Sequence, residues 1–103
     1  MPKPKKARKA DKRVLVFPVG KEPEIQLIDG KLESMQKIVG GYIEIVSVGD
    51  CLDLVCNEEG LITGLPLNRG LRGTFFIMRR DSEGDAVDMT DRDIADVQSN
   101  LNK

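Results

Sequence analysis

The residues best suited to recognition lie in one glycine-rich segment, GLPLNRGLRG, at positions 64–73. Arg69 and Arg72 stand out there, because the surrounding chain is acidic and has few other cations. An arginine beside glycines can present its planar guanidinium, with main-chain N–H groups, to a carboxylate or a phosphate. Asn68 could add an amide. The alternative is structural, since Arg69 could tie the loop to one of three carboxylates, those of Glu58, Glu59 and Asp53.

Catalysis is poorly supported by the residue types. The chain has no histidine, so it lacks the usual base for a serine or cysteine nucleophile. Glu58 and Glu59 are adjacent turn residues, whereas glycoside hydrolysis needs two carboxyl groups that face each other across a cleft. We therefore expect a non-enzymatic protein without a cofactor.

A metal site is not expected either. The acidic run at 81–88 is superficially like a calcium loop, but an EF-hand needs glycine at its sixth position and glutamate at its twelfth. Here Gly84 is fourth and Arg92 is twelfth. Cys51 and Cys56 are five positions apart, which on one strand would place them on opposite faces. Both are expected to be free, buried thiols.

The charge is unevenly distributed along the chain. Residues 1–13 carry a net charge of +6, and residues 14–103 carry −7. Like charges and two prolines predict a disordered basic arm over 1–13, followed by a single domain over 14–103. The arm could neutralise phosphates, but it has no aromatic residues for stacking, so nucleic-acid binding would be weak and independent of sequence. Its cations are Lys3, Lys5, Lys6, Arg8, Lys9, Lys12 and Arg13.

The local patterns predict an α+β fold with a mostly antiparallel sheet of about five or six strands, built from hairpins. The strands are expected near residues 14–19, 24–28, 42–48, 52–56 and 73–80, with a shorter one near 86–89. Alternation along two of them assigns side chains to opposite faces of the sheet. Leu54 and Cys56 share a face that excludes Val55, and Phe75 and Ile77 likewise share one.

Two segments have a helical period instead, and predict a helix near 30–39 and a C-terminal helix near 91–101. Asp29 is the expected N-cap of the first helix and Gly40 its C-terminal residue. Thr90 and Asp93 have the spacing of a capping box at the start of the second helix. Both helices are expected to pack on one face of the sheet. Their apolar faces are formed by Leu32, Met35, Ile38 and Val39, and by Ile94, Val97 and Leu101.

The stretch after the fourth strand is typical of a hairpin turn. Glu58 and Glu59 suit the middle of a type I turn, and Gly60 suits the positive φ of a following bulge residue. A short returning strand is then expected at 61–62. The segment from Pro66 onward is expected to be a loop.

The sequence does not suggest a membrane or export signal. Its apolar runs are much shorter than the roughly 18 residues needed to span a bilayer. The N-terminal MPKPKKARK is charged and lacks the apolar core of a secretory signal. A cytoplasmic location is the expectation.

Three motifs, IDGKLESMQKIVGGYIEIV, CNEEGLITGLPLNR and GTFFI, occur in this order over the folded part of the chain. In sequence and spacing they resemble the family named domain of unknown function 3846. The resemblance implies a small single domain of phage or mobile-element type without an assigned activity. Members of that family commonly have a longer insertion where this chain has only three residues between Arg69 and Gly73.

The favoured functional interpretation is an interaction module that binds a host macromolecule. Its candidate residues are Asn68, Arg69 and Arg72, with Asn57, Glu58 and Tyr42 nearby in the motifs. One alternative is a binder of a small anionic ligand such as a nucleotide, which the same arginines would hold at an oligomer interface, for example that of a homodimer. A second alternative is weak nucleic-acid binding through the basic arm.

Overall fold

The computed structural model describes residues 11–49, 51–60, 64–65, 67–68 and 71–101. Within these residues the chain forms eight strands and two helices. The strands are β1 Lys12–Phe17, β2 Glu24–Ile28, β3 Ile43–Gly49, β4 Leu52–Asn57, β5 Leu67–Asn68, β6 Leu71–Arg72, β7 Phe75–Arg80 and β8 Ala86–Val87. The helices are α1 Leu32–Val39 and α2 Asp91–Leu101.

Six of the described strands form one antiparallel sheet. Its order is β2-β1-β7-β4-β3, and β8 pairs with the end of β7, after the residues that pair with β1. The hairpins β1–β2 and β3–β4 are therefore joined through β7, which lies between them. The predicted α+β class, with a sheet of five or six strands and helices near 30–39 and 91–101, is confirmed.

The first strand begins at Lys12, two residues before the expected start of the domain. Arg13, which the sequence assigned to the disordered arm, is instead fixed between strands. Its main-chain N–H donates to Asp88 Oδ1 at 2.7 Å, and its guanidinium donates to the Met89 carbonyl from Nε and Nη2 at 3.0 and 2.7 Å. Arg13 also forms an ion pair with Asp91 at 3.2 Å, and its carbonyl accepts the Met89 N–H at 3.1 Å. The rest of the arm, residues 1–10, lies outside the described residues.

Both faces of the sheet are apolar, and a different helix covers each. Leu54 and Cys56 of β4 join one core cluster, while Val55 between them joins the other. The α2 residues Ile94 and Val97 belong to the first cluster, and α1 belongs to the second. The expectation that both helices share one face is therefore wrong. Helical period shows which side of a helix is apolar, but not which face of a sheet it covers.

Helix α1 differs from its prediction at the start. The N-cap residue is Lys31, which makes no capping side-chain bond. Asp29 instead accepts the Lys31 N–H at 2.8 Å in the turn before the helix, and this bond lowers the pKa of Asp29. Leu32 was expected to face the core and is 54% exposed, because it stands at the open first turn. Gly40 ends the helix at φ 81°, as predicted.

The capping box of α2 is confirmed. Asp93 N–H donates to Thr90 Oγ1, and Thr90 N–H donates to Asp93 Oδ2, each at 3.0 Å. Asp93 also receives two bonds from Arg79 of β7, Nε to Oδ2 at 2.7 Å and Nη2 to Oδ1 at 3.1 Å. The Arg79 guanidinium lowers the pKa of Asp93 to about 2. One buried carboxylate thus both caps α2 and attaches it to the sheet.

The predicted turn at 57–60 is present, with Gly60 N–H donating to the Asn57 carbonyl at 3.3 Å. Gly60 is not among the residues with positive φ, contrary to expectation. It is buried, and a Cβ there would lie 3.0 Å from Cβ and the carbonyl oxygen of Arg72, so close packing accounts for the glycine. The strand expected at 61–62 lies outside the described residues.

Beyond this turn the expected loop contains a short hairpin. Leu67 pairs with Arg72 and Asn68 with Leu71, which makes β5 and β6 a separate two-stranded sheet. Their strands have two residues each, too short for alternation to be visible in the sequence.

The two cysteines are free, as predicted, but they do not share a strand. Cys56 is buried in β4, and burial together with the nearby Glu44 raises its pKa. Cys51 is half-buried at φ 62° just before β4, so the argument from strand periodicity does not apply to it.

Candidate functional site

An open groove of about 790 Å³ lies where the end of α1 meets the last residues of β4. The helix forms one wall, and the turn after β4 forms the other. Tyr42 stands at the mouth, between the helix and the start of β3. The lining residues are Glu33, Ser34, Gln36, Lys37, Gly40, Gly41, Tyr42, Asn57, Glu59 and Leu65.

Asn57 holds the two walls together. Its Nδ2 donates to the Val39 carbonyl at the end of α1, at 3.1 Å, and its Oδ1 accepts the Glu59 N–H at 2.7 Å. The approach is close enough that a Cβ on Gly41 would lie 2.9 Å from Asn57 Nδ2. Because the Asn57 amide makes these bonds, it builds the groove rather than offering its polar atoms to a ligand.

Tyr42 is the exposed aromatic residue of the site, with 65% of its surface accessible. Its carbonyl accepts the Glu58 N–H at 2.9 Å, which extends the β3–β4 pairing by one residue pair. The main chain beneath the ring is therefore held in place while the ring remains accessible. Aromatic residues in this situation are frequent anchors in protein interfaces.

The charges around the groove are mostly negative. Glu33 and Glu59 line it, Lys37 is the one cation among the described lining residues, and the exposed Arg72 lies at the edge. The C-terminal end of α1 adds the partial negative charge of its carbonyl groups. Glu44 and Glu58 are exposed close by, in β3 and in the turn after β4. This potential favours a neutral or cationic ligand over an anionic one.

The residues of the glycine-rich segment do not converge on one ligand position in the described part of the chain. Asn68 is 4% exposed, and its Nδ2 donates to the carbonyls of Phe17 and Gly73 at 2.8 and 2.9 Å. This is a structural role, contrary to the expectation that its amide would contact a ligand. Arg72 is exposed and Nη1 donates to the Leu65 carbonyl at 3.4 Å, at the edge of the groove. Arg69 lies outside the described residues.

The structural alternative for Arg69 included Asp53 as one partner. Asp53 is 6% exposed and is paired with Arg80 of β7, whose Nε lies 3.0 Å from Oδ2. The neighbouring strand β7 therefore provides the cation that pairs with the Asp53 carboxylate.

Strand β3 continues from Tyr42 along one edge of the sheet, and its side chains are unusually accessible. Ile45, Val46 and Val48 are 49, 44 and 48% exposed. Paired residues of antiparallel strands lie on the same face. Ile45 pairs with Val55 and so lies on the α1 face, whereas Val46 pairs with Leu54 and lies on the α2 face. An apolar edge is thus continuous with the groove.

Of the sequence candidates, the structure brings Tyr42 and Asn57 to the groove and Glu58 next to it. Sequence reasoning missed Gln36, Lys37 and Leu65. One signal could have located the site. A helix needs a single glycine to end in the left-handed conformation, so the second glycine of Gly40–Gly41 indicates a close approach by another group.

Fold and site together define a small α+β protein whose antiparallel sheet carries one helix on each face and an open groove beside an edge strand. The sequence matches the model of the family described as domain of unknown function (DUF3846) over residues 12–102, and the chain belongs to this family. The resemblance found in the sequence motifs is thereby confirmed. Neither curated proteins nor solved structures gave a match.

Two general properties of the described residues bear on function. They include no helix long and apolar enough to cross a membrane. In the same part of the chain, no three cysteine or acidic side chains come together as metal ligands could. In the acidic turn after β7, Asp81 Oδ1 instead accepts the N–H groups of Glu83 and Asp85, each at 2.9 Å.

Proposed function

We propose that this protein is a non-enzymatic binding module of the cytoplasm that recognises a polypeptide through the groove and its rim. Tyr42 carries the proposal, since a 65% exposed aromatic side chain stands at the mouth of the groove on a fixed main chain. The open shape of the groove suits the binding of a segment of a larger partner protein. If the chain acts as a phage or mobile-element accessory protein, that partner is a host protein.

The charge of the groove separates this proposal from the small-ligand alternative. A nucleotide or another anion would meet Glu33, Glu59 and the carbonyl end of α1, which outweigh Lys37 in the lining and Arg72 at the edge. Like charges repel, so this groove favours a neutral or cationic ligand over an anionic one.

Selection from a random-peptide library tests the proposal and does not require the partner to be identified first. Peptides enriched on the immobilised protein should lose about tenfold or more in affinity when Tyr42→Ala is introduced, as expected for the loss of an aromatic anchor. Leu27→Ala is the matched control, because Leu27 is 62% exposed on the opposite edge strand. The Leu27→Ala substitution should change peptide affinity only slightly.

Two outcomes would oppose the proposal. One is that no peptide is enriched above the level given by an unrelated protein. The other is that the enriched peptides bind the Tyr42→Ala and Leu27→Ala variants equally well, which would place recognition elsewhere on the surface.

A further inference from the structure

The direction of the main-chain groups of β3 follows from a few hydrogen bonds. In an antiparallel pair, residues that exchange hydrogen bonds with their partners alternate with residues whose N–H and C=O groups point away. Glu58 N–H donates to the Tyr42 carbonyl, so Tyr42 belongs to the bonded set. In the register that pairs Glu44 with Cys56 and Val46 with Leu54, these two residues bond to β4 as well.

The intervening residues, Ile43, Ile45 and Ser47, therefore direct their N–H and C=O groups away from the sheet. The other side of β4 supports this assignment independently. Arg80 N–H donates to the Cys51 carbonyl, which places Val55 among the residues that bond to β7 and leaves Leu54 and Cys56 for β3. In the described part of the chain, no strand pairs with the outer side of β3.

This edge lacks the usual protection against pairing. Natural edge strands are commonly blocked by lysine, proline or inward-pointing charge. Strand β3, IEIVSVG, contains neither lysine nor proline, and Glu44 is its single charged residue. Its bulge lies between Ser47 and Gly49, near the end, so the stretch from Ile43 to Ser47 is regular.

The opposite edge, β2, is a weaker site by the same criteria. It has five residues, and the preceding Pro23 limits its extension at the start. Its accessible apolar side chains, Ile25 and Leu27, are 51 and 62% exposed, and they do not line the groove beside α1. It therefore serves as an internal comparison for β3.

We propose that the partner of the groove is an extended segment that adds to the sheet as a strand alongside β3. This inference rests on the proposed function and assigns its mode of binding. Strand addition supplies affinity through main-chain hydrogen bonds and specificity through alternate side chains. The outward groups of Ile43, Ile45 and Ser47 would make those bonds, and the segment would pass Tyr42 into the groove.

Charge defines the chemistry of the segment. The groove and the adjoining edge carry Glu33, Glu44, Glu58 and Glu59 against Lys37 and Arg72. On the added strand, side chains on the α1 face meet Ile45, and those on the α2 face meet Glu44 and Val46. The partner is thus an extended, mainly apolar segment that carries a lysine or arginine opposite Glu44. A second copy of the chain fits less well, because it would bring a further Glu44 to the same edge.

Peptides enriched in the library selection provide the probe. Each is resynthesised with N-methyl groups on either its odd-numbered or its even-numbered residues, which removes main-chain donors from one edge of the peptide at a time. Strand addition predicts that one set abolishes binding, with about a tenfold or greater loss, while the other set has little effect. The protein itself is unchanged in this comparison, so its folding does not influence the result.

The protein side is tested with Ile45→Pro, which removes an outward N–H at an edge position that tolerates proline. Ile25→Pro is the matched control on β2, and thermal unfolding verifies that both variants are folded. Peptide affinity should fall about tenfold or more for Ile45→Pro and remain near wild type for Ile25→Pro.

The outcomes distinguish the two proposals. Binding that depends on Tyr42 but is indifferent to Ile45→Pro and to both sets of N-methyl groups would overturn strand addition and leave the proposed function intact. Enriched peptides that contain no lysine or arginine among their apolar residues would overturn the assigned chemistry. Self-association that competes with the peptides would show that a second copy occupies the edge, which would also overturn it. Failure to enrich any peptide would refute the proposed function and this inference with it.

Discussion

Replacement of Asp93 by asparagine tests how α2 is attached to the sheet. The substitution keeps the size of the side chain and removes its charge. In the wild type the carboxylate accepts two bonds from Arg79 and one from the Thr90 N–H. The Arg79 guanidinium lowers the pKa of Asp93 from 3.8 to about 2. At about 1.36 kcal/mol per pH unit, this corresponds to about 2 kcal/mol of preference for the ionised form.

We expect Asp93→Asn to lower the free energy of unfolding by about 2 kcal/mol at neutral pH, and the Tm by roughly 10 °C. Because folding lowers the pKa of Asp93, its contribution is present above pH 3.8 and is lost as the pH falls through about 2. The free energies of unfolding of the two proteins, measured in urea across this pH range, should therefore differ less as the pH falls.

Asp96→Asn is the matched control, since Asp96 is an exposed carboxylate on the same helix. It should change the free energy of unfolding by no more than about 0.5 kcal/mol. The reasoning is refuted if the two substitutions have equal effects at neutral pH. It is also refuted if the difference between Asp93→Asn and the wild type is the same at every pH.

The remaining predictions concern the segment around β5 and β6. Asn68→Ala should cost about 1–3 kcal/mol in urea unfolding, because it removes a buried amide that donates to the carbonyls of Phe17 and Gly73, whereas Asn100→Ala at an exposed helix position should cost far less. Gly73→Ala should destabilise more than Gly84→Ala. Both glycines have φ above 80°, but a Cβ at Gly73 would lie 2.7 Å from Leu65 Cδ1, and one at Gly84 would meet nothing within 4 Å. Equal losses for the two alanine variants would show that the contact with Leu65 is unimportant.

The features of the fold that could be predicted are those that depend on nearby residues. Alternation placed Leu54 and Cys56 on one face of β4, and Phe75 and Ile77 on one face of β7, as the structure shows. The capping box of α2 could be predicted because Thr90 and Asp93 hydrogen-bond to each other within a single turn.

The features that could not be predicted depend on contacts distant in sequence. Strand β4 is paired with β3 on one side and with β7 on the other, and no local pattern contains the second of these pairings. The placement of the two helices on opposite faces of the sheet could have been predicted from the sequence. Strands buried on both faces are nearly continuous apolar runs, and the four buried residues of β1, at 14–17, form such a run.

The candidate site likewise combines residues that a local pattern indicates with residues that only distant contacts bring together. Asn68 and Arg72 were predicted to bind a ligand because they are polar residues among glycines. Asn68 is instead a buried structural residue. The groove forms where α1 meets the end of β4, so its lining comes from separated parts of the chain. Tyr42 and Asn57 were identified through the sequence motifs. Lys37 and Leu65 lacked any local signal that connected them to the site.

Amide hydrogen exchange along β3, measured with and without a selected peptide, is a direct test of the claim that the partner adds to the sheet as a strand alongside β3. In the free protein the amides of Glu44 and Val46 should exchange slowly, because they bond to β4, while that of Ile45 should exchange rapidly. Saturating peptide should slow exchange at Ile45 by about tenfold or more and leave the other two nearly unchanged. Unaltered exchange at Ile45, with protection confined to residues away from β3 and the groove, would contradict the claim.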